Sequence, residues 1–115
     1  MHYTIKEEKL LNAQFKRGIV ELCIIKILST KEMSTYEVLG IISKDLDVNE
    51  NTVYPIIRRL TNEGILDVKK MVNGIGAPKK YYILTPKGFE KLESQEDEWN
   101  NFLSKVAKIM EGNYE

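Results

Sequence analysis

The sequence predicts a mainly helical chain with one small β-hairpin and a long C-terminal helix. Three observations carry that expectation. Apolar residues recur at helical spacing over about Ile5 to Ser29, then from Ser34 to Leu46, then from Asn51 to Leu60. A turn-rich run, Asn73-Gly74-Ile75-Gly76-Ala77-Pro78, separates two short segments of strand character. Thr85-Pro86 then opens an alternation of threes and fours that reaches Met110.

In the first helix Leu11, Phe15, Ile19 and Leu22 fall on one stripe, interrupted by Gly18, which either permits close packing or marks a break. The stretch Ile19 to Leu28 is apolar nearly all round, as a central buried helix would be. Ser34-Thr35-Tyr36-Glu37 reads as a capping box. Val38, Leu39, Ile42 and Leu46 form the inner stripe of the helix that follows. A turn at Asp47-Val48-Asn49 leads to a third helix starting between Asn49 and Asn51. An N-cap at Asn51 would keep Pro55 near the first turn, where its missing amide costs least. Val53, Ile56, Ile57 and Leu60 share its inner face, and Gly64 is a natural stop. Strands are expected from Ile65 to Met71 and from Lys79 to Leu84.

Composition narrows the function classes. A chain of 115 residues with 43% hydrophobic content suits one ordinary globular unit. The single cysteine, Cys23, cannot form an internal disulfide and reads as a small buried hydrophobe. With no apolar leader and no membrane-length span, a cytoplasmic protein without a membrane partner is expected. His2 has no histidine or cysteine beside it, so no metal site or cofactor is expected. No nucleophile–base–orienter set can be assembled, so an enzyme is not expected either. The formal net charge is +0, but it is unevenly spread. Arg58, Arg59, Lys69, Lys70, Lys79 and Lys80 face only Glu63 and Asp67 in the middle of the chain, whereas the segment after Thr85 is acidic.

Helix, capped helix, short turn, helix and hairpin, in that order, make a winged helix-turn-helix, in which the second helix of the pair fits a DNA major groove. The expected division is residues 1–85 as the winged domain and 86–115 as a dimerisation helix. The candidate reading face comprises Asn51, Thr52, Tyr54, Pro55, Arg58, Arg59 and Asn62. Lys69, Lys70, Lys79 and Lys80 on the hairpin, with Ser34, Thr35 and Tyr36 at a helix start, are candidate phosphate contacts. One arginine pair on a helix is more often merely solvated; the ordered set of features argues otherwise here. Phe89, Leu92, Trp99, Phe102, Leu103, Val106, Ile109 and Met110 form a stripe longer than this domain can cover, so a second subunit is the expected cover.

Asn51-Thr52-Val53-Tyr54-Pro55-Ile56-Ile57-Arg58-Arg59-Leu60 followed by Glu63-Gly64 resembles the recognition-helix motif of the PadR family of transcriptional regulators. Gly76-Ala77-Pro78-Lys79-Lys80-Tyr81-Tyr82-Ile83-Leu84-Thr85 with Gly88 resembles its wing motif. The resemblance spans about residues 15 to 110 and is to the short subfamily with a single C-terminal helix. Thr35 stands where many members have glycine, and Ile75 and Ala77 replace residues often glycine or charged. The resemblance implies a homodimer that binds double-stranded operator DNA as a repressor, with release by a small molecule in some members. In multidrug-responsive members a tryptophan of the last helix stacks a flat aromatic ligand at the dimer centre, and Trp99 matches that position. Phe15, Ile19, Leu22, Phe102 and Leu103 are candidates to line such a cavity, although the ligand's charged partners have no clear match. Trp99 could equally pack the dimer interface. A protein–protein module and a ligand sensor without sequence-specific DNA binding remain the alternatives.

Overall fold

The computed structural model describes residues 5–71, 76 and 79–113, with side chains from Arg17 onward except that of Met71. Phe15, Ile75 and Ala77, singled out in the sequence, therefore lie outside the described residues or side chains. The order is α1 (Ile5–Thr30), α2 (Thr35–Asp45), α3 (Glu50–Asn62), β1 (Leu66–Met71), β2 (Lys79–Leu84) and α4 (Pro86–Met110). This is the expected winged helix-turn-helix with a long terminal helix.

The core forms around α1. Val20, Ile24 and Ile25 are wholly buried and Leu28 nearly so. They meet Val38 and Ile42 from α2, Val53, Ile56, Ile57 and Leu60 from α3, and Ile65, Leu66, Leu84 and Leu92 from the elements beyond. Gly18 does not break α1. A Cβ there would meet nothing within 4 Å, so no close packing within the chain requires it.

Helix ends follow local chemistry. The Glu37 amide donates to Ser34 Oγ at 3.2 Å and the Ser34 amide to Glu37 Oε1 at 3.4 Å, the reciprocal pair expected of a capping box. The third helix starts earlier than an Asn51 cap would allow. Asn49 is the N-cap, its Oδ1 accepting from the Asn51 amide at 2.9 Å. Pro55 consequently sits inside the helix, past its first turn. Asn51 and Pro55 are both exposed, so water can meet the carbonyl left without an amide partner. At the other end Gly64 takes φ 77°, its amide donating to the Thr61 carbonyl at 3.1 Å while Ile65 donates to Leu60 at 2.9 Å. That reversal needs a left-handed residue and turns the chain directly into β1.

The two strands pair antiparallel, from Leu66 opposite Leu84 to Met71 opposite Lys79. Met33 adds one further rung to β2 through reciprocal bonds with Tyr82, at 3.2 and 2.8 Å. The start of α2 is thereby fastened to the wing.

Thr85 closes the base of the hairpin. Its hydroxyl donates to the Gly64 carbonyl at 2.7 Å and accepts from the Gly88 amide at 3.0 Å, so one side chain caps α4 and ties it to the end of α3. Gly88 and Leu92 are buried there. Leu92 was expected at a subunit interface, but it completes this chain's own core. The first turns of α4 pack against α1 and β2, and its apolar stripe enters the core at Leu92 before running outward.

Replacing Gly88 is expected to destabilise the fold more than replacing Gly64. A Cβ on Gly88 would lie 2.5 Å from the Ile65 carbonyl oxygen and against the Leu84 side chain. Gly88→Ala should cost about 1–3 kcal/mol by overpacking. Gly64→Ala meets no neighbour and should cost about 1 kcal/mol through its positive φ alone. Urea denaturation of both variants checks the order, and equal stabilities would refute the close approach.

Candidate nucleic-acid interface

A cleft of about 450 Å³ opens between α3 and the hairpin, lined by Tyr54, Ile57, Arg58, Thr61 and Asn62 on one side and Val68, Lys80 and Tyr82 on the other. Thr35 closes one end, held there by the rung between Met33 and Tyr82. The inner strand face follows from the alternation of β residues. Leu66 and Leu84 enter the core, so Val68, Lys70, Lys80 and Tyr82 share their side. Lys70 lies directly opposite Lys80, two like charges across one rung. Among the described residues no acidic side chain lines the cleft.

The two neighbouring arginines part company. Arg58 is exposed and lines the cleft. Arg59, about 100° further round the helix, reaches the opposite way. Its Nη2 donates to Glu21 Oε2 of α1 at 2.8 Å, and its Nη1 to Glu63 Oε1 at 3.0 Å. The other oxygen of Glu21 faces Lys91 Nζ of α4 at 3.1 Å. One carboxylate thus joins α1, α3 and α4. Burial pushes the Glu21 carboxyl upward, but the hydrogen bonds and charges of Arg59 and Lys91 outweigh it and hold the group below its ordinary value. Hydrogen bonds to Glu21 and Glu63 hold Arg59 above its already high value. Arg59 was expected on the reading face; the geometry instead ties it to Glu21 and Glu63 as an anchor of α3.

The remaining candidates fall into three places. Asn51, Pro55 and Asn62 are exposed, with Thr52 and Tyr54 half-buried. Ser34 is occupied as a cap, while Tyr36 is 80% exposed at the start of α2. Lys69, on the outer strand face, lies 3.6 Å from Glu32, whereas Lys79 and Lys80 are exposed without ion pairs among the described residues. The Glu21 junction was missed in the sequence. Its signal was there: Glu21 and Lys26 alone carry charge in the stretch Ile19 to Leu28, and Lys26 too meets α4, at 2.9 Å from Glu96.

A second concavity lies between α1 and α4. Gly18, Leu22, Gln95, Glu98, Trp99 and Phe102 line a groove of about 410 Å³, and Ile19 joins a lobe of about 280 Å³ beside it. Trp99, Ile19, Leu22 and Phe102 are brought together as the sequence suggested. Leu103 does not line it, and Glu98 was not foreseen. Along α4 Phe89, Phe102, Leu103, Ile109 and Met110 are exposed and Val106 is half-buried. Among the described residues no group of histidine, cysteine and carboxylates could hold a metal, and no helix is long and apolar enough to cross a membrane.

The Glu21 junction carries a signed expectation. A carboxyl held below its unfolded value stabilises the fold fully above that value, and loses the contribution as pH falls through the folded value. Glu21→Gln should cost about 1–2 kcal/mol at neutral pH and flatten the loss of stability on acidification below about pH 4.5. Denaturation curves from neutral pH to pH 3 test this; an unchanged acid slope would exclude the junction. Arg59→Ala should produce a loss of similar size.

Comparison with known proteins gives one consistent answer. Residues 24–94 match the family model described as "Transcriptional regulator PadR-like family". A PadR family transcriptional regulator from Eggerthella lenta has a solved structure superposing with a TM-score of 0.79 at 26% identity, covering 95% of both chains. A PadR-like transcription factor from Bacteroides fragilis superposes at 0.74 with 30% identity, covering 86% of this chain and 97% of its own. The Bacillus subtilis negative transcriptional regulator PadR is 26% identical over 78 residues, and the matched part is 43% of its length. The structure of Bacillus subtilis PadR in complex with operator DNA shares the fold at a TM-score of 0.61, with 23% identity over 67% of this chain and 46% of that one. With the family model matching more than half of its residues, this chain belongs to the PadR-like family of transcriptional regulators rather than to any class of enzyme.

Proposed function

We propose that the chain is a homodimeric repressor that binds operator DNA through α3 and the wing and is released by a flat aromatic ligand. The observation that carries the DNA reading is the convergence of Arg58 and Lys80 in a cleft lined, among the described residues, by no carboxylate, with Lys70 on the same strand face. A duplex attracts such local positive potential even when net charge is zero. Arg58 stands where its guanidinium can pair with a guanine edge, and Lys80 and Lys70 can meet the flanking phosphates. Bacillus subtilis PadR, whose fold this chain shares, is solved in complex with operator DNA, which supports duplex DNA as the partner.

Arg58→Ala should relax discrimination among duplexes by about 1–3 kcal/mol. Lys80→Ala should weaken all duplexes alike and reduce the salt slope by about one contact, near 0.9 in log–log units. Titration of the protein's own upstream DNA by fluorescence anisotropy at several salt concentrations distinguishes the two effects. Binding that ignores salt and both substitutions would favour a protein–protein module.

The groove between α1 and α4 supports the ligand reading. It joins an indole and a phenyl ring to Glu98, a combination suited to a planar aromatic cation. A cationic planar dye should quench Trp99 fluorescence, and Glu98→Gln should weaken its binding several-fold while sparing a neutral planar compound. Equal loss for both ligands, or no quenching by a broad panel, would remove this site.

A further inference from the structure

We propose that Glu21 and Lys91 set the sequence discrimination of α3 by fixing its rotation about its own axis, although neither residue lines the cleft that holds Arg58. The inference rests on the DNA reading above and names two residues that serve it from a distance. Arg58 is exposed and makes no hydrogen bond or ion pair among the described residues, so only its helix aims it. A helix with its side chains is about 10–12 Å across, and a turn of about 10° about its axis carries a side-chain tip by about 1 Å. Hydrogen bonds tolerate a spread of about 0.5 Å. A bidentate pair with guanine must satisfy two of them at once.

Three observations carry this. First, α3 has little else to set its roll. Its inner face is Val53, Ile56, Ile57 and Leu60, and apolar burial is non-directional. The bond from Arg59 Nη2 to Glu21 Oε2 at 2.8 Å is the one side-chain hydrogen bond between α3 and α1 among the described residues. The contact of Arg59 with Glu63 at 3.0 Å lies at the helix's own C-cap, so it stiffens Arg59 without referring it to the rest of the fold. Second, Glu21 is itself held. It follows the wholly buried Val20 on α1, and its side chain is only 16% exposed. Lys91 Nζ faces Oε1 at 3.1 Å, which leaves Oε2 for Arg59. Without Lys91 both oxygens would be free for the Arg59 fork, and a bidentate pair would draw α3 to a different roll. Third, α4 grips the end of α3 twice. Lys87, one turn before Lys91, donates from Nζ to the Glu63 carbonyl at 2.9 Å. Arg59 and Glu63 are likewise one turn apart on α3, so the two helices meet through a pair of rungs, one direct and one through Glu21.

The test uses the full-length protein and two duplexes, one selected by the wild type from a randomised library and a scramble of the same composition. The readout is the ratio of the two affinities at one salt concentration, in which general attraction to phosphate cancels. Glu21→Gln should lower that ratio about tenfold, chiefly by weakening the selected duplex. Loss of a negative charge alone would instead tighten both duplexes alike. Lys91→Met should lower the ratio several-fold, and Lys91→Arg should keep it. In an Arg58→Ala background, Glu21→Gln should change the ratio no further, because it acts through Arg58. Circular dichroism at the binding temperature reports whether each variant is folded; if Glu21→Gln is not, the two Lys91 variants decide. Ratios unchanged by Glu21→Gln and Lys91→Met, or a further loss in the Arg58→Ala background, would overturn the inference and leave the DNA reading standing. A library from which the wild type enriches no sequence would overturn the reading and the inference with it.

Discussion

The structure depends on a central helix that is apolar on more sides than one small domain can cover. The wholly buried Val20, Ile24 and Ile25 of α1 organise α2, α3, the strand base and the start of α4 into one core. Only two charges interrupt the buried stretch, and each faces α4: Glu21 with Lys91, Lys26 with Glu96. Partly buried ion pairs add little net stability, because desolvation offsets much of the attraction. They do make other placements of α4 costly, since a shifted helix would leave Glu21 half-buried with fewer partners. The consequence is orientation. Through Glu21 the helix that carries the outer apolar ridge and the helix that carries Arg58 are fixed to the same carboxylate.

Much of this was legible in the sequence where the chemistry is local. The Ser34–Glu37 box, the Gly64 stop, the Thr85-Pro86 start and the limits of the second strand each involve residues a few positions apart. The failures arose where partners come from elsewhere in the chain. Asn49 and Asn51 are equally good caps by type, and only the geometry of the turn after Val48 decides between them. Arg58 and Arg59 look alike in sequence, but one residue of helix rotates the second toward α1, where Glu21 waits. Leu92 fits the terminal stripe by spacing, yet the close approach permitted by Gly88 brings its turn into the core. The candidate residues were legible as types, but which of them line the cleft and which are held in ion pairs was not.

The wing shows how the same hairpin serves stability at one end and charge presentation at the other. Near α4, Leu66 and Leu84 are buried and Thr85 bonds back to Gly64, so the base is rigid. Further out the same strand face changes from leucine to Val68 and Tyr82, then to Lys70 opposite Lys80. The alternation that aims the leucines into the core also aims those lysines toward α3. No separate device is needed to point them, because strand periodicity fixes the side.

Two lysines across one rung repel each other, and the size of that repulsion is informative. Even two unit charges as close as about 4 Å repel by only about 1 kcal/mol in water before screening, and salt reduces this further. The Thr85 clasp and the Met33 rung readily hold the hairpin against so small a force. The formal net charge of +0 has a matching consequence. Beyond a Debye length of about 8 Å the acidic part of α4 and the basic cleft largely cancel or are screened, so long-range steering toward a polyanion is weak. In the proposed reading, attraction begins only when α3 and the wing are already close to the duplex. Its salt sensitivity then arises from a few contacts beside Arg58 rather than from the molecule's overall charge.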